Sequence, residues 1–129
     1  MEYKLTTNTF DNRETKAAIS VIKSGKFTLG KNVKSFEEKF AKKFNRKYAI
    51  MVNSGSSANL LSIASLFYKK KNFLKPGDEV IVPAIAWSTS YFPLIQYGLK
   101  IRLCDVDTNT LKVDLNSLKK KINKKTKLI

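Results

Sequence analysis

Histidine is absent from this sequence of 129 residues, and its absence excludes several kinds of site at once. Histidine is the side chain that most often serves as a general base near neutral pH and as a metal ligand. Histidine-containing zinc sites and Ser-His-Asp triads therefore cannot form. The single Cys104 has no partner for an intramolecular disulfide, and its apolar neighbours predict a buried strand. We predict no metal site and assign no catalytic residue within the chain.

Long apolar runs are also missing. None reaches the roughly 18 residues of a membrane-spanning helix, and Met1–Phe10 lacks the positive-then-apolar order of a secretory signal. We therefore expect a cytoplasmic protein with no membrane segment. Hydrophobic residues nevertheless make up 43% of the sequence, which is enough for the core of one domain.

Arginine is scarce although the chain is strongly basic. The net charge is +15, yet only Arg13, Arg46 and Arg102 are arginine, and lysine supplies the other positive side chains. Such a charge raises nucleic acid as a partner, but base and phosphate recognition favours arginine. The lysines are also spread along the chain, as on solvated helix ends and faces. We expect no nucleic-acid partner, and a basic non-enzymatic binding module is kept as the rival reading.

The pattern of apolar residues predicts two helices, followed by strands and helices in alternation. This order is typical of an α/β sandwich with a mostly parallel sheet, in which helices cover both faces of the strands. The first two helices should bury Ala18, Ile19 and Ile22, and the row Phe36, Phe40 and Phe44. The predicted helices begin near Asp11, Asn32, Ser57, Ser88 and Asp114, and the predicted strands are Tyr48–Val52, Glu79–Val82, Lys100–Val106 and an opening strand at Lys127–Ile129.

One segment carries a pattern with chemical meaning. Asn53–Leu60, with the sequence Asn-Ser-Gly-Ser-Ser-Ala-Asn-Leu, joins a predicted strand to a helix that is apolar nearly all round and should be well buried. Gly55 allows a close backbone approach, and the first N–H groups of a helix attract anions. Ser56 and Ser57 add hydroxyl donors. The pattern fits a phosphate cradle or an ordinary helix cap, and it is neither a Walker A loop nor a dinucleotide fingerprint.

Several segments together resemble the N-terminal part of the DegT/StrS family of sugar aminotransferases that use pyridoxal 5′-phosphate (PLP). The similarity covers nearly the whole chain in the family's order and spacing. Any one motif is weak, and the set is specific. The segments that carry the resemblance are Gly25–Gly30, Val33–Phe44, Asn53–Leu60, Pro76–Pro83, Trp87–Ser90, Asp105–Asp107 and Asn109–Asp114.

The resemblance implies a place for several residues. Residues 1–129 would form the N-terminal portion of the large domain of a fold-type I PLP enzyme, a three-layer α/β sandwich. The PLP phosphate would lie on Ser56 and Ser57 just after Gly55, and Trp87 would stack on the pyridine ring. Thr28 and Gly30 would lie near the nucleotide-sugar site. The residues alone leave a core aromatic open for Trp87 and a plain interhelix turn open for the two glycines, Gly25 and Gly30.

The resemblance also implies what the parent protein does. It would transfer an amino group, with glutamate as the usual donor, to a nucleotide-linked keto-sugar in polysaccharide or deoxyaminosugar biosynthesis, as a homodimer. The lysine that holds PLP and the acidic partner of its ring nitrogen would lie beyond Ile129, so we expect an inactive fragment.

Two further alternatives stay open. Within the family, one branch dehydrates the sugar at C3 and has histidine in place of that lysine. The loop form with Asn59 is closer to this branch. Outside the enzymes, a structural fragment that folds only with a partner would leave a sheet edge exposed.

Overall fold

The computed structural model describes residues 6–129, so the start of the Met1–Phe10 segment, from which we excluded a signal, lies outside the described residues. The chain divides after Met51 into two compact units. The first unit consists of helices and connecting turns, and the second contains the sheet. No helix in the described range is long and apolar enough to cross a membrane.

The first unit contains α1 (Asn12–Ser24) and α2 (Lys31–Lys43). The predicted helix start at Asp11 is confirmed, because its carboxylate accepts from the Arg13 amide while Glu14 accepts from the Asp11 amide. Gly25 ends α1 in the left-handed conformation, with φ of 64°. The second helix begins earlier than predicted. Gly30 is its N-cap, which places Asn32 inside the first turn and not at the cap.

Two other expectations about the first unit are wrong. Ala18, Ile19, Ile22 and the three phenylalanines of α2 are exposed, although Phe36, Phe40 and Phe44 stack along one face of the helix. Residues 48–52 do not form a strand. A strand needs a hydrogen-bonding neighbour, and here the Met51 amide instead donates to the Glu37 carboxylate at 2.8 Å.

The second unit is built on a parallel sheet, as predicted. Strands β1 (Glu79–Pro83), β2 (Lys100–Cys104) and β3 (Thr126–Leu128) lie in the order β2-β1-β3, all parallel. Val80 pairs with Ile101, and Ile81 pairs with Arg102. The predicted strand Lys100–Val106 extends two residues beyond the observed end of β2 at Cys104. Val106 instead forms an isolated bridge with Val113.

The helices of this unit are α3 (Gly55–Phe67), α4 (Phe92–Gln96) and α5 (Leu115–Lys121), with a 3-10 turn at Ser88–Ser90. Val80 and Val82 pack with residues of α3 and α4. The intervening Ile81 points to the opposite face, as does Cys104, whose thiol lies 3.7 Å from the Asp114 carbonyl at the start of α5. The unit is therefore the predicted three-layer arrangement, with Cys104 buried as expected.

Helix α3 differs from its prediction in two ways. It begins at Gly55, two residues before Ser57, because Ser54 is the residue that caps it. None of its residues is fully buried, although it is apolar nearly all round. One side packs on the core through Ile63, Leu66 and Phe67, while Leu60 and Leu61 are exposed.

Candidate functional site

The N-terminus of α3 is organised by a serine outside the predicted pair. The Ser54 hydroxyl accepts from the Ser57 amide at 3.2 Å and lies 3.2 Å from the Ser57 hydroxyl. The Ala58 amide donates to the Ser54 carbonyl at 3.0 Å and so starts the helical ladder. The amides of Gly55 and Ser56 precede this ladder at an exposed helix end. The first amides of a helix have no partner within it, so they are free to donate to a ligand at that end.

Gly55 has open space where a side chain would project. A Cβ atom placed on it would meet no atom within 4 Å, and its φ is not in the left-handed region. The fold of this chain therefore does not itself require glycine at this position. A ligand that approaches the backbone closely would account for the missing side chain.

The carboxyl end of β1 leads into the segment that contains Trp87. After Pro83, residues 84–87 are extended or bent, and the 3-10 turn follows directly. The Tyr91 hydroxyl donates to the Pro83 carbonyl at 2.8 Å and closes this segment at its base. Trp87 is 77% exposed, so it is not a core aromatic of the described chain. Ligand sites in parallel sheets lie at this edge, beyond the carboxyl ends of the strands.

A cleft of about 250 Å³ lies between the N-terminus of α3 and the segment that follows Trp87. Ser56 and Ser57 line it on one side, and Thr89 and Phe92 line it on the other. No charged side chain is among its lining residues, so the helix N-terminus supplies its local positive potential. The structure thus brings Ser56 and Ser57 beside the turn that follows Trp87, and Gly55 directly precedes them on α3. Trp87 itself does not line the cleft.

Sequence reasoning missed several residues of this region. Thr89 and Phe92 line the cleft, and the Asn59 side-chain amide donates to the Thr89 carbonyl at 3.3 Å. An amide side chain in a helix whose other polar residues are all serines was the available signal for Asn59. Nothing in the local pattern marks Phe92, because its place depends on how α4 packs against α3.

Thr28 and Gly30 belong to the first unit and line a different cleft, of about 600 Å³, between the end of α1 and the start of α2. Lys26 and Lys31 add two positive side chains to it. A cleft with lysines suits an anionic ligand, and the assignment of these residues to a nucleotide sugar stays a prediction.

The two aspartates after β2 serve the fold. Asp105 accepts from the Ser117 hydroxyl at 2.8 Å. The amides of Thr110 and Asn109 donate to the Asp107 carboxylate, and these bonds hold the pKa of Asp107 below its usual range. Asp107 is thus engaged by its own loop, and Asp105 is engaged by α5.

Comparison with known proteins identifies close relatives. The profile of the DegT/DnrJ/EryC1/StrS aminotransferase family matches residues 8–129. GDP-4-keto-6-deoxy-D-mannose 3-dehydratase of Escherichia coli O55:H7 is 54% identical over 129 residues, which are 100% of this chain and 33% of the relative. GDP-perosamine synthase of Vibrio cholerae is 32% identical over 120 residues, which are 92% of this chain and 31% of the relative. The chain spans about a third of the length of these curated relatives.

A solved structure agrees with this similarity. The E. coli GDP-4-keto-6-deoxy-D-mannose-3-dehydratase with bound hydrated PLP superposes with a TM-score of 0.90 at 54% identity, covering 97% of this chain and 32% of that one. The predicted family and the fold-type I architecture are confirmed, and the family uses the predicted cofactor. The prediction of an aminotransferase has support only at the level of the family, because the relative at 54% identity is a dehydratase.

Proposed function

The chain belongs to the DegT/DnrJ/EryC1/StrS aminotransferase family, and we propose that it forms the cofactor-phosphate part of a PLP-dependent 3-dehydratase that acts on a GDP-linked 4-keto-6-deoxy sugar. The observation that carries the proposal is the 54% identity with such a dehydratase along the entire chain. The dehydratase thus takes the place of the aminotransferase that the sequence analysis predicted for the parent protein. It is the branch of the family that the Asn59-containing loop favours.

The residues present fit a phosphate group at the N-terminus of α3. The amides of Gly55 and Ser56 and the hydroxyls of Ser56 and Ser57 would hold it, and the open space above Gly55 admits it. The exposed indole of Trp87 would lie against the ring. When bound, PLP supplies an electron sink for negative charge that develops on the substrate. The chain's own contribution is to bind the cofactor and orient its ring.

The partners are proposed on the same basis. A nucleotide sugar would approach Thr28 and Gly30, whose cleft includes two lysines. Glutamate as amino donor and a homodimer of the parent protein remain predictions from the family. The one cysteine is buried and unpaired in the described chain, which suits the reducing cytoplasm that we propose as its compartment.

Amino transfer is the second candidate function. GDP-perosamine synthase is 32% identical over most of the chain, and the two reactions use the same fold and cofactor. Sequencing the coding region beyond Ile129 distinguishes them. Histidine at the position of the cofactor-binding lysine would support the dehydratase, and lysine at that position would overturn it in favour of the aminotransferase.

The phosphate cradle can be tested on the chain itself with pyridoxamine 5′-phosphate. This probe has the ring and phosphate of PLP but no aldehyde, so it cannot react with the many lysines. We expect saturable quenching of Trp87, the only tryptophan. Ser57→Glu should abolish the quenching, because a carboxylate would occupy the place of the phosphate and repel it.

Ser65→Glu is the matched control, since it puts the same charge on the exposed C-terminal half of α3. It should leave the quenching intact. If both variants bind as the unchanged chain does, the phosphate does not lie at Ser57. Salt-sensitive binding of random oligonucleotides, with no response to the probe, would instead support the basic binding module.

A further inference from the structure

Three hydrogen bonds hold the segment around Trp87 in its unit, and two of them come from the side chains of Asn59 and Tyr91. We propose that Asn59 and Tyr91 are positioning residues that set Trp87 over the phosphate loop, and that they act through the Trp87 turn, residues 84–90. The inference rests on the proposed function, because it assumes that Trp87 faces a cofactor ring. It adds residues that act on the ring's orientation and not on the phosphate.

Trp87 needs such support because its own contacts are few. Its side chain is 77% exposed, so packing against the core does not hold it. Its position is determined by the backbone of the Trp87 turn. An exposed aromatic that must meet a ligand ring in one orientation loses less entropy on binding if its backbone is already fixed.

Tyr91 fixes the base of the turn. Its hydroxyl donates to the Pro83 carbonyl at 2.8 Å and joins the last residue of β1 to the residue that follows the 3-10 turn. Its ring packs on the core cluster of the sheet. At the other end, the Ala84 amide donates to the Cys104 carbonyl at 2.7 Å. The Trp87 turn is thus a closed loop whose two ends are held to the sheet.

Asn59 links the tip of this loop to the phosphate site. It lies one helical turn after Ser56 on α3, and its amide donates to the Thr89 carbonyl at 3.3 Å. The same helix therefore presents the phosphate donors and holds the turn that contains Trp87. Loss of this contact would leave the helix N-terminus unchanged and free the turn.

The affinities for inorganic phosphate and for pyridoxamine 5′-phosphate should respond differently to the loss of Asn59. Inorganic phosphate needs only the helix N-terminus, whereas pyridoxamine 5′-phosphate also needs Trp87 in place. In Asn59→Leu, we expect an unchanged affinity for inorganic phosphate, measured by competition or thermal shift. The affinity for pyridoxamine 5′-phosphate should fall about fivefold, which corresponds to one hydrogen bond of about 1 kcal/mol. The quenching of Trp87 at saturation should also decrease.

Leucine is a good helix former, so this substitution is compatible with α3. Tyr91→Phe keeps the ring in the core and should likewise weaken the binding of pyridoxamine 5′-phosphate but not that of inorganic phosphate. It serves as the second variant if Asn59→Leu does not fold. Ser62→Leu is the matched control, because the Ser62 hydroxyl bonds only to the Ala58 carbonyl of its own helix. It should change neither affinity.

Each remaining outcome contradicts a specific statement. If the two ligands lose affinity in equal proportion in Asn59→Leu, the residue acts on the phosphate loop and the positioning role is wrong. Variants that bind both ligands like the unchanged chain also overturn it. If the unchanged chain shows no saturable quenching, the proposed cofactor site itself fails, which is a different result from a failure of the variants alone.

Discussion

The two units of the chain bury their apolar residues to very different extents. Among the described residues of the first unit, Ala41 is the one buried side chain, although both helices have a clear apolar face. In the second unit the central strand is buried on both faces, and helices and loops contribute further buried residues on each side. The buried side chains there are Leu74, Val80, Ile81, Val82, Leu94, Leu99, Cys104 and Ser117.

The difference shows what an apolar pattern does and does not determine. Amphipathic spacing is enough to predict that α1 and α2 form, because it reflects a local preference of the helix. It does not state what covers the apolar face. A short continuous apolar run such as that of β1 needs cover on both sides, and the second unit supplies helices for both faces.

The largest expected effect is on the free energy of unfolding, when an isoleucine of each unit is replaced by alanine. Ile81→Ala should lower the free energy of unfolding by about 2–5 kcal/mol, because Ile81 is 1% exposed and its loss leaves a cavity. Ile19→Ala should cost about 1 kcal/mol or less, because Ile19 is 46% exposed. Urea unfolding of the chain, followed by fluorescence and circular dichroism, measures both.

Equal losses in the two variants would contradict the comparison. They would mean that Ile19 is covered in solution, by a second copy of the chain for example. Repeating the Ile19→Ala measurement at several protein concentrations separates the two cases, since a contact between copies depends on concentration and an internal one does not.

A smaller effect is expected at two glycines of the first unit, where the backbone and not burial decides. Gly25 has φ of 64°, so Gly25→Ser forces a side chain into the left-handed region and should destabilise α1 by about 1 kcal/mol. Gly30 caps α2 without strain, and an added Cβ would be 3.6 Å from the nearest atom. Gly30→Ser should therefore leave α2 as stable or raise its stability by a few tenths of a kcal/mol.

Helix content during thermal melting measures both changes. Gly30→Ser also tests the proposed substrate role of this residue. If the variant is stable and binds GDP as the unchanged chain does, Gly30 is only a helix cap. A stable variant with weaker GDP binding would support its place at the nucleotide-sugar site.

The sequence predicted most elements of the fold, because each has a local signal. Asp11 and Asp114 are caps in the structure as they are in the pattern, and the parallel sheet follows from the alternation of strands and helices. The failed strand at residues 48–52 has a non-local cause. Its apolar run is suitable for a strand, but strand formation depends on a neighbour that the run itself cannot specify.

Some residues of the candidate site also have a local signal in the sequence, and others do not. Gly55, Ser56 and Ser57 were identifiable because a helix N-terminus with small polar residues has a recognisable order. Asn59 and Thr89 are 30 residues apart, and their contact depends on how α3 meets the 3-10 turn. Such contacts come from packing, and a sequence pattern read along the chain does not include them.

The smallest expected effect concerns two carboxylates with lowered pKa values, one in each unit. Burial alone would raise the pKa of Glu79, but hydrogen bonds from Asn123, Arg102 and Thr126 outweigh it and hold the pKa below its ordinary 4.5. These partners come from β2, from β3 and from the loop before β3. The pKa of Asp11 is lowered by hydrogen bonds from the side chain and the backbone amide of Arg13, in the first turn of the same helix.

A carboxylate with a lowered folded pKa stabilises the fold above its unfolded pKa, and the contribution is lost as pH falls through the folded value. Acidification below 4.5 should therefore loosen the sheet through Glu79, and acidification below 3.8 should fray only α1 through Asp11. We expect Glu79→Gln to weaken the pH dependence of stability when unfolding is followed by the tertiary fluorescence signal of Trp87. Asp11→Asn should alter only the helical signal. If both variants alter the tertiary signal alike, the first unit is not as locally organised as its contacts indicate.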